Sequence, residues 1–299
     1  MGDRISFLYL ERCTIHREDN AITAEDADGI THIPSATIGC LLLGPGTRVT
    51  HQAMSVLGDS GAGVVWVGEQ GVRFYSGGRS LTRSSALVEA QAKKWANHRT
   101  RLEVARAMYR MRFPDEDPAG LTRQELLGRE GRRVKERYRT EAAKYGITWG
   151  GRHYIPGDFG SGDPVNQAVT AAAQCMYGIA QTTVAALGCA SGLGFIHSGH
   201  ELAFVLDIAD LYKTEIALPI AFATAAESPE DVGSRTRRAV RDEVNRIGLL
   251  RRCVDDIKSL LLPEGADDPM DGDIDRVTLQ GDRGAELESG RNYDDGTPW

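Results

Sequence analysis

Two aspartates three positions apart interrupt a strongly apolar segment of the chain. The segment reads Phe-Val-Leu-Asp-Ile-Ala-Asp, and its acids are Asp207 and Asp210. On a helix, residues three apart face the same side, so both carboxylates would lie together at the edge of a core. Two such carboxylates repel each other unless a cation neutralises them, and Mg²⁺ and Mn²⁺ prefer carboxylate oxygen. Taken alone, the pair is better explained as two exposed acids on an amphipathic helix.

A histidine precedes this pair by ten residues. His197 stands in Gly-Phe-Ile-His-Ser-Gly, within a glycine-rich break between helical segments. If this loop folds back onto the next helix, a ring nitrogen would reach the same cation as the aspartates. A lone histidine in such a loop is more often a hydrogen-bonded structural residue.

A glutamate in a basic helical segment is the third candidate ligand. Glu130 stands in Arg-Glu-Gly-Arg-Arg-Val, where an ion pair is the ordinary role of an acid. Gly128 and Gly131 each cost about 1 kcal/mol in a helix relative to alanine, which indicates a close approach to the backbone. A metal-binding carboxylate among arginines fits phosphodiester chemistry, because the metal polarises one phosphate while the arginines hold its neighbours.

Three further side chains could reach a nucleotide or a leaving group. They are Tyr154, Tyr177 and Lys213. Two core tyrosines and a lysine at a helix end explain the same spacing equally well.

Positive charge is concentrated in one region, although the whole chain has a formal net charge of −7. Residues 73–152 hold 19 basic and 9 acidic residues, a net charge of +10. Residues 264–299 hold 3 basic and 11 acidic residues, a net charge of −8. The basic stretch indicates a surface that binds a polyanion, and a solvated, salt-bridged helical face is an equally good interpretation.

The hydrophobic pattern predicts an α+β protein, in which a small β-rich N-terminal domain precedes a larger all-helical domain. Over residues 1–83, short apolar runs alternate with Gly, Pro and Asp turns, as is typical of strands. Over residues 84–262 the apolar period becomes helical, and Thr122 with Glu125 predicts a capping box. Helices are predicted over residues 86–112, 123–145, 164–187, 201–213, 218–226 and 230–261.

The remaining features favour a cytoplasmic protein with an acidic tail. No apolar run reaches the roughly 18–20 residues of a membrane span, and the first residues lack a secretory signal pattern. The five cysteines are scattered, without a C-x-x-C pair, which favours a reducing compartment. Residues 263–299 are acidic, glycine-rich and aperiodic, and predict a disordered tail.

In their order along the chain, these motifs resemble the CRISPR-associated integrase–nuclease family (CRISPR-associated protein 1). The motifs are Arg-Glu-Gly-x-Arg-Val around Glu130, Gly-Phe-x-His-x-Gly around His197, and Asp-Ile-Ala-Asp from Asp207. Further segments that fit are Leu8–Glu11, Thr148–Tyr154, Asp163–Gln167 and Cys175–Gly178. They resemble the branch found with type I-E (Cascade) interference systems, and the resemblance covers roughly residues 5–262.

The resemblance implies roles for individual residues. Glu130, His197 and Asp207 would bind Mg²⁺ or Mn²⁺, and Asp210 would be an accessory catalytic acid. His200 stands where we expect a lysine, which leaves a DNA contact at that position open. The implied DNA-binding residues are Arg129, Arg132, Arg133, Arg137, Arg152, Tyr154, Tyr177 and Lys213.

The resemblance also implies a reaction and partners. Homodimers, joined by the smaller CRISPR-associated protein 2, would insert short foreign DNA into a CRISPR array, with double-stranded and branched DNA as substrates. A DNA 3′-hydroxyl would attack a repeat phosphodiester, and the reverse reaction together with hydrolysis would give nuclease activity. We predict that the acidic, strand-rich residues 1–72 mediate dimerisation, since none of the candidate ligands lies there.

Two other functions remain open from the sequence. One is a non-catalytic architectural DNA-binding subunit, whose metal site is structural or degenerate. The other is a metal-dependent hydrolase of small phosphoesters, for which the basic stretch is larger than needed.

Overall fold

A strand-rich N-terminal region precedes a helical C-terminal region, as the hydrophobic pattern predicts. The computed structural model describes residues 5–19, 21–69, 72–79, 85–153 and 162–263, together with 278–280 and 286–288. The predicted domain boundary at residues 83 and 84 lies outside the described residues, between the last strand of the first region and the first helix of the second.

The N-terminal region, where it is described, forms two four-stranded sheets. Its strands are β1 (Ile5–Leu10), β2 (Thr14–Glu18), β3 (Ala21–Asp26), β4 (Gly29–Pro34), β5 (Ile38–Leu43), β6 (Arg48–Val49), β7 (Gly63–Val67) and β8 (Phe74–Arg79). The first sheet has the order β1-β5-β7-β8, in which β1, β5 and β7 are parallel, and the second has the order β4-β3-β2-β6. Helix α1 (His51–Asp59) contributes to the core that buries Ile15, Ile22 and Leu41.

The helical region is built around one long buried helix, α5 (Pro164–Leu187). The side chain of Asp163 caps its start by accepting a hydrogen bond from the Asn166 amide, and Gly188 ends it in the left-handed conformation. The other helices are α2 (Ala86–Ala96), α3 (His98–Arg112), α4 (Arg123–Lys144), α6 (Ala203–Tyr212), α7 (Leu218–Glu227), α8 (Val232–Arg246) and α9 (Leu249–Leu261). A π-helical turn, Lys213–Ala217, joins α6 to α7.

The two regions pack directly against each other. Val65 and Val67 on β7 cluster with Ala186 of α5 and Leu250 of α9. A second contact needs a glycine at position 178 of α5, because a Cβ there would come within 2.5 Å of the carbonyl oxygen of residue 72.

Two helices predicted as continuous are each divided in two. The prediction for residues 86–112 is wrong at Asn97, whose backbone is extended and whose side chain accepts hydrogen bonds from the first amides of α3. The prediction for residues 230–261 is wrong at Gly248, whose φ of 62° separates α8 from α9. The capping box predicted for α4 is confirmed, since Thr122 and Glu125 exchange both hydrogen bonds.

Part of the acidic tail has regular structure. Beyond residue 263, strands β9 (Thr278–Gln280) and β10 (Glu286–Glu288) pair antiparallel, within a segment whose composition predicts disorder. The other tail residues lie outside the described part of the chain.

Two further predictions from the sequence concern the state of the cysteines and the presence of membrane-spanning helices. All five cysteines are free and buried, and burial raises the pKa of Cys175 and of Cys253 to about 12. Among the described helices, none is both long enough and apolar enough to cross a membrane.

Candidate active site

The carboxylate of Asp207 is enclosed within α6 and the loop before it, and accepts four hydrogen bonds. Its Oδ2 accepts from the amides of Phe195 at 2.6 Å and Ile196 at 3.0 Å. Its Oδ1 accepts from the amide of His197 at 2.9 Å and lies 2.7 Å from Nδ1 of that ring. The Asp207 side chain has no exposed surface. These four contacts are about as many as an ionised carboxylate can accept.

The His197 ring is oriented by this contact. The hydrogen bond to Asp207 raises the pKa of His197 against the opposing effect of burial. With Nδ1 donating to Asp207, Nε2 is the nitrogen left for a substrate or a metal, and the side chain is 40% exposed. Carboxylates that bind the second nitrogen in this way orient metal-binding histidines and fix their tautomer.

Asp210, almost one turn further along α6, has a different partner. Its Oδ1 lies 2.6 Å from Nζ of Lys213, which also donates to the Tyr177 hydroxyl at 2.7 Å. Burial opposes the charge of Lys213, but Asp210 and Tyr177 outweigh it and raise its pKa. Asp210 also raises the pKa of His197, and Lys213 lowers it.

Glu130 on α4 forms an ion pair with Arg112 on α3. Nη1 of Arg112 donates to Oε1 of Glu130 at 2.6 Å, and the arginine side chain is only 4% exposed. Both residues line a small cavity together with Ile196, the neighbour of His197. Sequence reasoning gave no signal for Arg112, because it lies 18 residues from its partner, on another helix.

The candidate ligands gather near the loop of His197 without forming a ready metal site. Among the residues that the structure describes, no three histidine, cysteine, aspartate or glutamate side chains are grouped to hold a metal ion. In this structure Glu130 pairs with Arg112, Asp210 pairs with Lys213, and Asp207 accepts from loop amides. Two carboxylates and an imidazole still have the donor chemistry that Mg²⁺ or Mn²⁺ accepts.

Most of the predicted DNA-binding arginines are used within the protein. Arg129 and Arg133 pair with acids between α3 and α4, Arg137 pairs with Glu141, and Arg152 donates to Asn166 and Thr170. Tyr177 is held by Lys213, and Tyr154 lies outside the described residues. His200 accepts a hydrogen bond from the Leu202 amide at the start of α6.

Three exposed cations lie together on one side of α4. Arg132, Lys135 and Arg139 lie at helical spacing and form no ion pair with any residue that the structure describes, and we call their surface the outer α4 face. Gly128 shares this face and Gly131 borders it, and a Cβ at either would meet open space. No contact in the described structure requires these glycines. The close approach of a ligand to the α4 backbone at these positions therefore stays a prediction.

An open groove of about 590 Å³ lies between α3, α4 and α9. Four arginines line it: Arg112, Arg133, Arg137 and Arg252. Each of them has a carboxylate partner within the protein. A polyanion would have to displace those carboxylates, so the outer α4 face is better suited to bind one.

Comparison with known proteins identifies the family. Residues 7–115 match the family described as CRISPR associated protein Cas1. The CRISPR-associated endonuclease Cas1 of Clostridium sp. (strain SY8519) is 48% identical over 98% of this chain and 97% of its own length. The CRISPR-associated endonuclease Cas1 2 of Thermus thermophilus is 43% identical over 97% of this chain and 90% of its own length.

A solved structure agrees with these relatives. The crystal structure of TtCas1 in complex with DNA matches with a TM-score of 0.82 and 43% identity, over 89% of this chain and 99% of that one. The chain therefore belongs to the CRISPR-associated protein Cas1 family. The resemblance predicted from the sequence is confirmed.

Proposed function

We propose that this chain is a metal-dependent DNA endonuclease and integrase, which inserts short foreign DNA into a CRISPR array. The relatives from Clostridium and Thermus are named CRISPR-associated endonucleases, which supports the nuclease class. The observation that carries the proposal is the meeting of three distant motifs. Glu130 shares a cavity with Ile196, and the neighbouring His197 is bound by Asp207.

We place the divalent ion, Mg²⁺ or Mn²⁺, on Glu130, His197 and Asp210. The family resemblance implies Asp207 as a ligand, but its four hydrogen bonds favour a positioning role. Asp210 has a lysine partner, which an ion could replace. When bound, the ion would activate the attacking oxygen and stabilise charge on the reacting phosphate.

The chain's own residues would hold the reacting groups. In integration, a DNA 3′-oxygen bonds to a repeat phosphorus, and the bond from that phosphorus to the leaving oxygen breaks. Lys213, which donates to Tyr177 at 2.7 Å, supplies a positive charge and a proton donor beside the ligands. Water in place of the 3′-hydroxyl gives hydrolysis, which is the nuclease activity expected on branched DNA.

The outer α4 face would hold one arm of a double-stranded or branched DNA. Its cations Arg132, Lys135 and Arg139, which form no ion pair within the described part of the chain, would contact phosphates. Arg132 follows Glu130 by two positions, which on a helix puts them on nearly opposite sides. A branched substrate can reach both, with an arm on the outer face and the junction at Glu130. The DNA complex of TtCas1 supports DNA as the ligand.

The proposed assembly follows from the family. We propose a homodimer formed through the N-terminal sheets, joined by CRISPR-associated protein 2 and working in the cytoplasm. The edge strand β4, which exposes Ile30, is the surface that we assign to the dimer contact.

The test is cleavage and integration with branched DNA in Mg²⁺ or Mn²⁺, with and without EDTA. We expect Glu130→Gln to abolish the reaction, whereas Glu136→Gln, an exposed glutamate on the same helix, leaves it intact. DNA binding without any metal-dependent reaction would contradict the proposal and favour an architectural subunit.

A further inference from the structure

The three peptide groups that precede the His197 ring lie between one carboxylate and two guanidinium groups. Their N–H groups, from residues 195–197, all donate to Asp207. The carbonyl oxygens at the other ends of the same peptide groups accept from arginines. Arg101 donates from Nη2 to the oxygen of residue 194 at 2.8 Å and from Nε to that of residue 195 at 3.4 Å, and Arg123 donates to that of residue 196.

We propose that Arg101, assisted by Arg123, is a positioning residue that balances the buried charge of Asp207 through these peptide groups and thereby fixes His197. In the described part of the chain, Asp207 forms no ion pair with a lysine or an arginine. A peptide dipole that points its N–H at a carboxylate and its oxygen at a guanidinium is favourable at both ends. Such hydrogen-bonded chains strengthen one another where the local dielectric constant is low.

Arg101 is itself held in place. Its guanidinium lies 5.1 Å from the centre of the Trp95 ring, and Trp95 Nε1 donates to the same oxygen of residue 194 at 3.0 Å. Burial and Arg123 lower the pKa of Arg101, and the charge of Asp207 raises it. The Arg101 guanidinium and the Asp207 carboxylate therefore interact electrostatically. The α2 and α3 helices thus reach a loop that lies more than 90 residues away in sequence.

The start of the same loop, residues 190–194, is packed too tightly to absorb the loss of this anchor. A Cβ at Gly194 would come within 2.7 Å of the backbone of Ala203 and of the His197 carbonyl oxygen. Gln91 is fully buried, exchanges hydrogen bonds with the backbone of residue 190 and donates to the carbonyl oxygen of residue 193. A change at Arg101 should therefore alter the position of His197 rather than be absorbed elsewhere.

The experiment compares Arg101→Met and Arg101→Lys with wild type, and uses Arg99→Met as the matched control. Arg99 is on the same helix with its side chain 87% exposed. Hydrogen exchange of the amides of residues 195–197 is measured on the full chain without DNA. The rate constant for cleavage of saturating branched DNA and the DNA dissociation constant are measured in parallel.

We expect Arg101→Met to speed exchange at residues 195–197 more than in the rest of the core. The cleavage rate constant should fall by about 10- to 100-fold, as is usual when a group that orients a ligand is removed. DNA affinity should change less than twofold, and Arg101→Lys should recover part of the rate, because a lysine keeps the charge and can donate to one of the two carbonyl oxygens. The Arg99→Met control should behave as wild type.

The inference is overturned if Arg101→Met cleaves like wild type, or if exchange rises equally throughout the core and Arg101→Lys recovers nothing. The rate measurement rests on the proposed function. If wild type cleaves no DNA, that function fails, and exchange at residues 195–197 still decides the role of Arg101. Should the methionine variant not fold, the lysine variant decides by the same two measurements.

Discussion

Nδ1 of His197 lies 2.7 Å from Oδ1 of Asp207, and the same carboxylate accepts from the backbone amides of residues 195–197. One side chain therefore holds both the ring and the loop that presents it. Asp210, three positions later on the same helix, has a lysine partner instead. The two aspartates of one motif thus have different physical roles. Substituting each in turn should change the stability of the protein by different amounts.

Asp207→Asn should lower the free energy of unfolding by about 3 kcal/mol, because buried amides lose a charged acceptor. Asp210→Asn should cost less, since its carboxylate is partly exposed and faces a lysine side chain. Both variants should lose DNA cleavage. Urea unfolding of the two proteins, beside a cleavage assay, measures this. An Asp207→Asn chain with full activity would contradict the positioning role of Asp207.

The local parts of this arrangement could be predicted from sequence. Thr122 and Glu125 signal the start of α4 by their own spacing, and the motif around His197 pointed to a loop that folds back onto α6. The choice between Asp207 and Asp210 could not be predicted. Helical spacing puts both on one side, and only the loop amides distinguish them.

The side chains that reach the site from other helices could not be predicted from the sequence. Arg112 meets Glu130 from 18 residues away, and Arg101 meets the carbonyl of residue 194 from 93 residues away. Charge counting also cannot tell which cations pair within the protein. Arg133 and Arg137 are spaced like binding residues, but they pair with protein carboxylates, and this depends on tertiary packing.

The contact between His197 and Asp207 should make stability depend on pH. The pKa of His197 is raised in the folded chain, chiefly by the hydrogen bond to Asp207. The contact therefore stabilises fully below the unfolded value of about 6.5, and this contribution disappears as pH rises through the folded-state pKa. The difference in unfolding free energy between wild type and His197→Gln, in EDTA from pH 6 to 9, should shrink with pH. A difference that stays constant would contradict this.

Reversing charges on the outer α4 face should weaken DNA binding. Arg132→Glu and Lys135→Glu should each make the plot of log affinity against log salt shallower, by about 0.9 for every phosphate that the variant no longer neutralises. Arg17→Glu, at an exposed arginine of β2 in the N-terminal region, is the matched control and should leave the slope unchanged. Equal slopes in all three proteins would exclude this face as a DNA-binding surface.

Self-association should depend on the edge of the second sheet. Ile30 is 61% exposed on β4, the last strand of that sheet, where unpaired backbone groups can meet a second copy. In sedimentation experiments at micromolar concentration, we expect wild type to be a dimer and Ile30→Lys to shift towards monomer. Leu127→Lys, which changes an exposed leucine of α4, should remain dimeric. A monomeric wild type would rule out dimerisation.

The acidic tail should compete with DNA for the cationic surface. Residues 264–299 hold 11 acidic and 3 basic residues, a net charge of −8, and residues 73–152 carry a net charge of +10. A tethered polyanion lowers the affinity of such a surface for DNA, and most strongly at low salt, where screening is weak. Removal of residues 264–299 should therefore tighten non-specific DNA binding at low salt, with a smaller gain at high salt. The metal-dependent cleavage rate at saturating DNA should not change, because none of the proposed ligands lies in the tail.

A variant that keeps the tail but replaces its acids with amides should bind like the truncated chain. If the truncated chain binds DNA more tightly and the amide variant does not, the length of the tail rather than its charge is responsible.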